Sequence, residues 1–444
     1  MSHQHLLTFI LSFSLCMVAL VGCKKKNPVT EIAAGQSGIS VVETDLTDLA
    51  DGWHQWRGFS GDGVAPDGEI PVTWDPASDF KWTAKIPGRG HGSPIVVGDL
   101  VVVATAVKSD DQFRMLAFDR ESGQAKFDTV IHRGGFPNPN DIHPKATYAN
   151  STVAGDGKYF YLATFNNERV YVTAVDTVGE IVWQNEIGRF VSKFGYAPSP
   201  VLYKSLLIVA ADNGGGGYLV GIDRISGEIA WRIARGNVDT YSSPVIANIG
   251  GRDELIITGG DQMVGYSPES GEVLWQTPCI SEATCGTAVV SGNKIFASGG
   301  YPDKETVCIS EGKKVWSNRT KVYEPSLVTD GVHVFAVSDD GIAYCWRAED
   351  GQEMWKKRLG GNFSSSPLLC NGNIYVADLS GNCYVFAAKG DGYEQIAKNR
   401  LRDDCYASPA VASGRLYFRV GLGSGDSRQE ELICIGEAQT NADE

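Results

Sequence analysis

The chain has 444 residues, 43% of them hydrophobic and 21% charged, with 52 glycines and 10 tryptophans, which excludes a disordered or collagenous protein and supplies enough apolar surface for a sizeable core. Its 39 basic residues against 53 acidic ones give a net charge of −14, so the overall field repels polyphosphates and nucleic acid is not an expected partner.

The chain opens with a 16-residue apolar run, Leu6 to Val21, too short to span a bilayer comfortably and of the length of a secretory leader. It ends in Leu20-Val21-Gly22-Cys23 and is followed at once by Lys24-Lys25-Lys26. That end resembles the bacterial lipobox, which implies cleavage after residue 22 and a lipid on Cys23, although the leader starts with histidines where Lys or Arg is usual. The resemblance implies an exported protein lipid-anchored to the outer membrane and facing the periplasm. Residues 23–52 are polar, lack helical or strand periodicity, and are expected to form a flexible tether. Residues 53–79 begin with Trp53-His54-Gln55-Trp56-Arg57-Gly58-Phe59, an aromatic cluster that must be buried, most simply on the flank of the folded body.

From residue 80 one unit recurs. Its clearest copies are Ser226-Gly227-Glu228-Ile229-Ala230-Trp231 and Ser270-Gly271-Glu272-Val273-Leu274-Trp275, with further copies ending at Trp183, Trp316 and Trp355, a Phe127 variant and an isolated Trp82. A second landmark, Ser-Pro or a variant of it, opens each unit: Ser93-Pro94, Ser151-Thr152, Ser199-Pro200, Ser243-Pro244, Thr287-Ala288, Ser326-Leu327, Ser366-Pro367 and Ser408-Pro409. From Ser93 to Ser408 these fall in seven steps averaging 45 residues, the period of a four-stranded propeller blade. The strand Phe80 to Ile86 precedes the first landmark and the last unit ends near Gly436 without a Trp strand of its own. The count therefore closes only as an all-β, eight-bladed β-propeller of four-stranded antiparallel blades over residues 80–436, with N- and C-terminal strands sharing one sheet and residues 437–444 left as a tail.

The Gly-Glu-x-x-Trp unit with its Ser-Pro partner resembles the repeat of pyrroloquinoline quinone (PQQ)-type propellers, which implies a structural role for Trp82, Trp183, Trp231, Trp275, Trp316 and Trp355 between neighbouring blades. The Trp-x-Gln-Trp-Arg-Gly segment is similar to one found in exported PQQ-like propeller proteins. Quinoprotein dehydrogenases of this type hold PQQ beneath a disulfide between adjacent cysteines, with a calcium ion. This chain has no adjacent cysteines and no Asp-x-Asp-x-Asp loop, so no cofactor and no metal are expected and PQQ is disfavoured. The other common catalytic motifs are missing too, and no catalytic residue is assigned.

One position of the third strand reads Ala117, Ala174, Gly221, Gly265, Cys308, Cys345, Val385 and Cys434, so these cysteines replace small core residues and are expected to be buried and reduced. Cys279 and Cys285 flank a loop and are either paired or free; Cys370, Cys383 and Cys405 stay open. Shortly before each landmark stand His91, Tyr148, Tyr196, Tyr241, Cys285, Tyr323, Phe363 and Tyr406. They form either a ring at one channel mouth, suited to a sugar, quinone or peptide, or repeated packing at the blade junctions. The longest gap between landmarks holds an insertion around residues 132–145, expected to fold over the channel mouth or to contact a partner. Lipobox, short tether and lone propeller together resemble the BamB-like lipoproteins of the outer-membrane β-barrel assembly machinery. That implies a membrane-anchored, non-enzymatic binding scaffold with an envelope protein partner, the alternative being a PQQ-dependent or other propeller that catalyses or binds a ligand in its channel.

Overall fold

The computed structural model describes residues 29–436 apart from 45, 47, 48, 50, 51 and 67. The leader, Cys23 and the tail at 437–444 lie outside the described residues. Eight four-stranded antiparallel sheets form a ring. The first runs outward through Ile95–Val97, Leu100–Val107, Gln112–Asp119 and Ala125–Arg133. The eighth contains Ala410–Ala412, Arg415–Leu422 and Gln429–Ile435, and its outermost strand is Phe80–Ile86, supplied from the other end of the chain. In that sheet Trp82 pairs with Cys434 and Ala84 with Leu432, so the ring is closed by hydrogen bonds between chain ends.

The repeat unit is a lock between blades. Each outer-strand Trp stands opposite the small residue of the third strand: Trp183 opposite Ala174, Trp231 opposite Gly221, Trp275 opposite Gly265, Trp316 opposite Cys308, Trp355 opposite Cys345. A small partner is required because the ring lies over it. Above the rings of Trp82, Trp183, Trp231, Trp275 and Trp316 sits the turn glycine of the next unit. A Cβ at Gly227 would lie 2.6 Å from Trp183, one at Gly351 2.6 Å from Trp316, and one at Gly123 2.6 Å from Trp82. All three glycines also have φ between 70° and 77°, so position and conformation both demand glycine. The indole N–H groups of Trp82, Trp183, Trp316 and Trp355 donate to the carbonyls of Arg120, Arg224, Ala348 and Lys389 in the next unit's turn. In the seventh blade Ala397 takes the Trp position, opposite Val385.

A second lock encircles the axis. In seven of the eight units the backbone N–H of the landmark residue donates to the hydroxyl of the next unit: Ser93 to Thr152, Thr152 to Ser199, Ser199 to Ser243, Thr287 to Ser326, Ser326 to Ser366, Ser366 to Ser408, and Ser408 back to Ser93, all at 2.8–3.0 Å. Thr152 holds the second unit's place in this ring, one residue later than the Ser151 of the sequence reading. The hydroxyl that fits the register carries the ring, and Ser151 Oγ has no partner.

The N-terminal segments depart from expectation. Part of the expected tether, from Val29 on, lies against the propeller. Ile32 exchanges both backbone hydrogen bonds with Arg232 on the outer strand Ile229–Gly236, Ser37 Oγ donates to the Ala230 carbonyl, and Val42 exchanges bonds with Ser205. Val29, Ile39, Val41 and Leu46 pack on apolar clusters of the blades, which is the physical reason this stretch is held. The aromatic segment docks at one end of the axis and not on the flank. Trp53 pairs with Val96 of the first blade, the His54 carbonyl accepts from Gly155, Gln55 accepts from Leu202, Arg57 donates to the Leu327 carbonyl, and Ala65 pairs with Leu369. A single stretch thus touches the innermost strands of five blades.

Cys279, Cys285, Cys308, Cys345, Cys383, Cys405 and Cys434 are free thiols, and Cys308, Cys345 and Cys434 are fully buried. Burial pushes the Cys279 and Cys285 thiols up to about 12.

Candidate functional site

Because residues 53–65 fill one end of the axis, the channel is a dead-end chamber of about 530 Å³, open at the other mouth. Its floor is the indole of Trp56, whose Nε1 donates to Thr287 Oγ1 at 2.9 Å, surrounded by hydroxyls of the axial ring. Its wall is built by a rule visible once the ring is fixed. Two residues before each ring hydroxyl stand His91, Asn150, Ala197, Tyr241, Cys285, Glu324, Ser364 and Tyr406, and all eight line the chamber. Each is brought there by an extended segment entering an innermost strand, in which alternate side chains face opposite ways.

This rule sorts the eight residues singled out from sequence. His91, Tyr241, Cys285 and Tyr406 lie two before their hydroxyl and line the chamber. Tyr196 and Phe363 lie three before it and turn into the blades: Tyr196 is buried with its hydroxyl donating to the Ala210 carbonyl, and Phe363 is buried against Tyr384. Tyr148 lies four before Thr152 and stacks on Phe136, 4.5 Å between ring centres. For these three, packing inside the blade wins. Tyr323 also lies three before its hydroxyl yet lines the chamber beside Cys285.

Burial keeps the titratable rings of the wall uncharged. His91 stacks face to face on Tyr406, with ring centres 4.2 Å apart, and Arg89 lies over the outer face of Tyr406. Burial, reinforced by Arg89, Arg419 and Arg428, holds the His91 imidazole well below its ordinary pKa, and its Nε2 has no hydrogen-bond partner. Burial likewise raises the Tyr241 phenol, with Asp239 adding to the effect, and its hydroxyl also lacks a partner. Tyr323 is raised by burial and by Cys285.

The mouth was only partly foreseen. The insertion folds over it, bringing His143 and Lys145 to the rim, where Lys145 Nζ reaches across to Glu324 Oε1 at 3.2 Å. Ser364 Oγ donates to the other oxygen of Glu324. Phe194 meets His143 edge-on and carries Lys193 over its ring. Phe194 and Tyr301 are exposed at the rim, 40% and 65% respectively. The rim residues come from loops of different blades and share no local motif; the insertion that carries His143 and Lys145 was marked by its length, and Trp56 of the floor by being an aromatic that had to be buried.

Among the described residues no three His, Cys, Asp or Glu side chains come together as a cation site, and the two lysines at the rim already face Glu324 and the Phe194 ring.

Comparison with known proteins places this architecture. A relative from Yersinia pestis, outer membrane protein assembly factor BamB, is 22% identical over 297 residues, covering 61% of this chain and 69% of its own length. The crystal structure of BamB from Moraxella catarrhalis superposes with a TM-score of 0.58 at 15% identity, covering 82% of this chain and 99% of that one. A quinohemoprotein alcohol dehydrogenase from Comamonas testosteroni shares the fold, with a TM-score of 0.65 at 11% identity over 89% of this chain and 82% of that one. The family model described as outer membrane protein assembly factor BamB matches residues 141–357 and 303–395, more than half of the chain. With its eight blades, its Gly-to-Trp locks and this match, the chain belongs to the PQQ-like propeller family of the outer membrane protein assembly factor BamB.

Proposed function

We propose that this protein is an exported, non-enzymatic binding scaffold that acts in outer-membrane protein assembly. In this reading it is anchored by lipid on Cys23 to the outer membrane, faces the periplasm, and holds a protein component of the β-barrel assembly machinery. The observation that carries the reading is the family match over residues 141–395. The geometry adds a direction. One end of the axis is occupied by the chain's own residues 53–65, whereas the opposite rim exposes Phe194 and Tyr301 beside charged side chains, the composition of a small protein-binding patch.

Deleting the gene and quantifying outer-membrane β-barrel proteins tests this. The scaffold reading expects their levels to fall and to be restored by the intact chain but not by a Cys23→Ala chain. Unchanged levels would overturn it.

A further inference from the structure

The dead-end chamber has no role in holding a partner at the rim. Its volume of about 530 Å³ falls within the range of small-ligand sites, roughly 300–1,000 Å³. Three properties define what it would hold. Its walls present flat faces, from the stacked His91–Tyr406 pair, Tyr241, Tyr323 and the Trp56 floor. Its polar groups are phenol, neutral imidazole, thiol, amide and hydroxyl, with Asp239, Lys193 and the Lys145–Glu324 pair adding charged side chains to the lining. Two of them, His91 Nε2 and Tyr241 Oη, are shut off from solvent with no partner, a cost that a hydrogen-bonding ligand would remove.

Other ligand classes fit less well. An anion needs a free cation, but Lys145 faces Glu324 at 3.2 Å and Lys193 lies over Phe194. A metal needs a converging ligand set, which is missing among the described residues. A peptide captured by its backbone needs unpaired strand groups, and the N–H groups of the axial ring are committed to neighbouring hydroxyls. Apolar ring faces combined with hydroxyl, amide and carboxylate hydrogen-bonding groups match the C–H faces and hydroxyl edges of a sugar.

We infer that the chamber between the Trp56 floor and the Lys145–Glu324 rim binds an uncharged short oligosaccharide, with the Trp56 floor as the stacking face and Tyr241 and His91 as hydrogen-bonding groups. The inference goes beyond the scaffold reading and does not depend on it.

The test is calorimetric titration of the full chain with cellobiose, maltotriose and N,N′,N″-triacetylchitotriose, alongside benzoate, choline and a blocked Ala-Tyr-Ala peptide. At least one saccharide is expected to saturate with a Kd below ~10 mM. Tyr241→Phe, which keeps the ring and removes only the hydroxyl, should weaken it about 3- to 10-fold, and His91→Ala, which removes the other hydrogen-bonding group, should weaken it at least as much. Saccharide binding that neither variant changes would overturn the inference. So would no saturable binding by any of the three sugars, or tighter binding of benzoate, choline or the peptide. The outer-membrane protein levels of the scaffold test are read separately, so either reading can fail alone.

Discussion

A Cβ added at Gly351 would meet the Trp316 ring at 2.6 Å, while Gly372 has a similar φ of 68° with nothing within 4 Å of its added Cβ. Both positions lie in the left-handed region, Gly351 at 74°, so alanine costs each about 1–2 kcal/mol of backbone strain. Gly351→Ala must also displace a packed indole whose N–H is held by the Ala348 carbonyl at 3.1 Å, adding about 1–3 kcal/mol of overpacking. The expected losses are therefore about 2–5 kcal/mol for Gly351→Ala and about 1–2 kcal/mol for Gly372→Ala. Trp316→Ala costs about 3–5 kcal/mol by itself, but in that background Gly351→Ala should fall to the cost of Gly372→Ala, because the ring it strikes is gone. Urea unfolding followed by circular dichroism measures all four combinations as a double-mutant cycle. If Gly351→Ala costs the same with and without Trp316, or no more than Gly372→Ala, the turn glycine does not lock the blades and the account of the repeat is wrong.

Three further expectations follow from the same structure. Burial holds the His54 imidazole at about 4, against about 6.5 in the unfolded chain, despite the opposing charge of Asp156. The unfolded state thus binds more protons between these values; stability is complete above pH 6.5 and falls by about 3 kcal/mol as pH drops toward 4, a slope that His54→Gln should reduce in urea titrations at pH 7 and 4.5. Buried Cys308, Cys345 and Cys434 should resist a thiol reagent in the native protein and react after unfolding, whereas rapid labelling of any of them in the folded state would contradict their placement. Ending the chain after Ser427 removes the strand Gln429–Ile435 from between its two neighbours in the eighth blade, so cooperative unfolding should be lost altogether; a truncated chain that melts normally would refute closure by the chain ends.

The architecture was legible because its signals repeat. A glycine that must clear an indole and an indole that must face a small residue are local requirements, imposed afresh in successive units, and they mark the blades even where Phe127 or Ala397 replaces the Trp. The wall of the chamber was half legible. Aromatics stand before most ring hydroxyls, but side-chain direction alternates along an extended chain, so Tyr241 at two residues faces the channel and Tyr196 at three faces the blade. Without the hydroxyl register the two look alike, and Asn150, Ala197, Glu324 and Ser364 carry no aromatic signal at all. The Lys145–Glu324 contact joins residues 179 apart in sequence, a distance over which no motif operates. Residues 29–44 look like a tether because their few apolar side chains are spread thinly, each one matched to a groove that only the folded blades provide.

In the scaffold reading, this propeller holds a component of the β-barrel assembly machinery by its open rim. The most direct measurement places a photo-crosslinking amino acid at Phe194 or Tyr301, with Val332 on another exposed surface as the control, in the native cell envelope. The account predicts that the two rim positions crosslink to a β-barrel assembly protein and that Val332 does not. Crosslinks to that protein from Val332 alone, or none from either rim position, would contradict it.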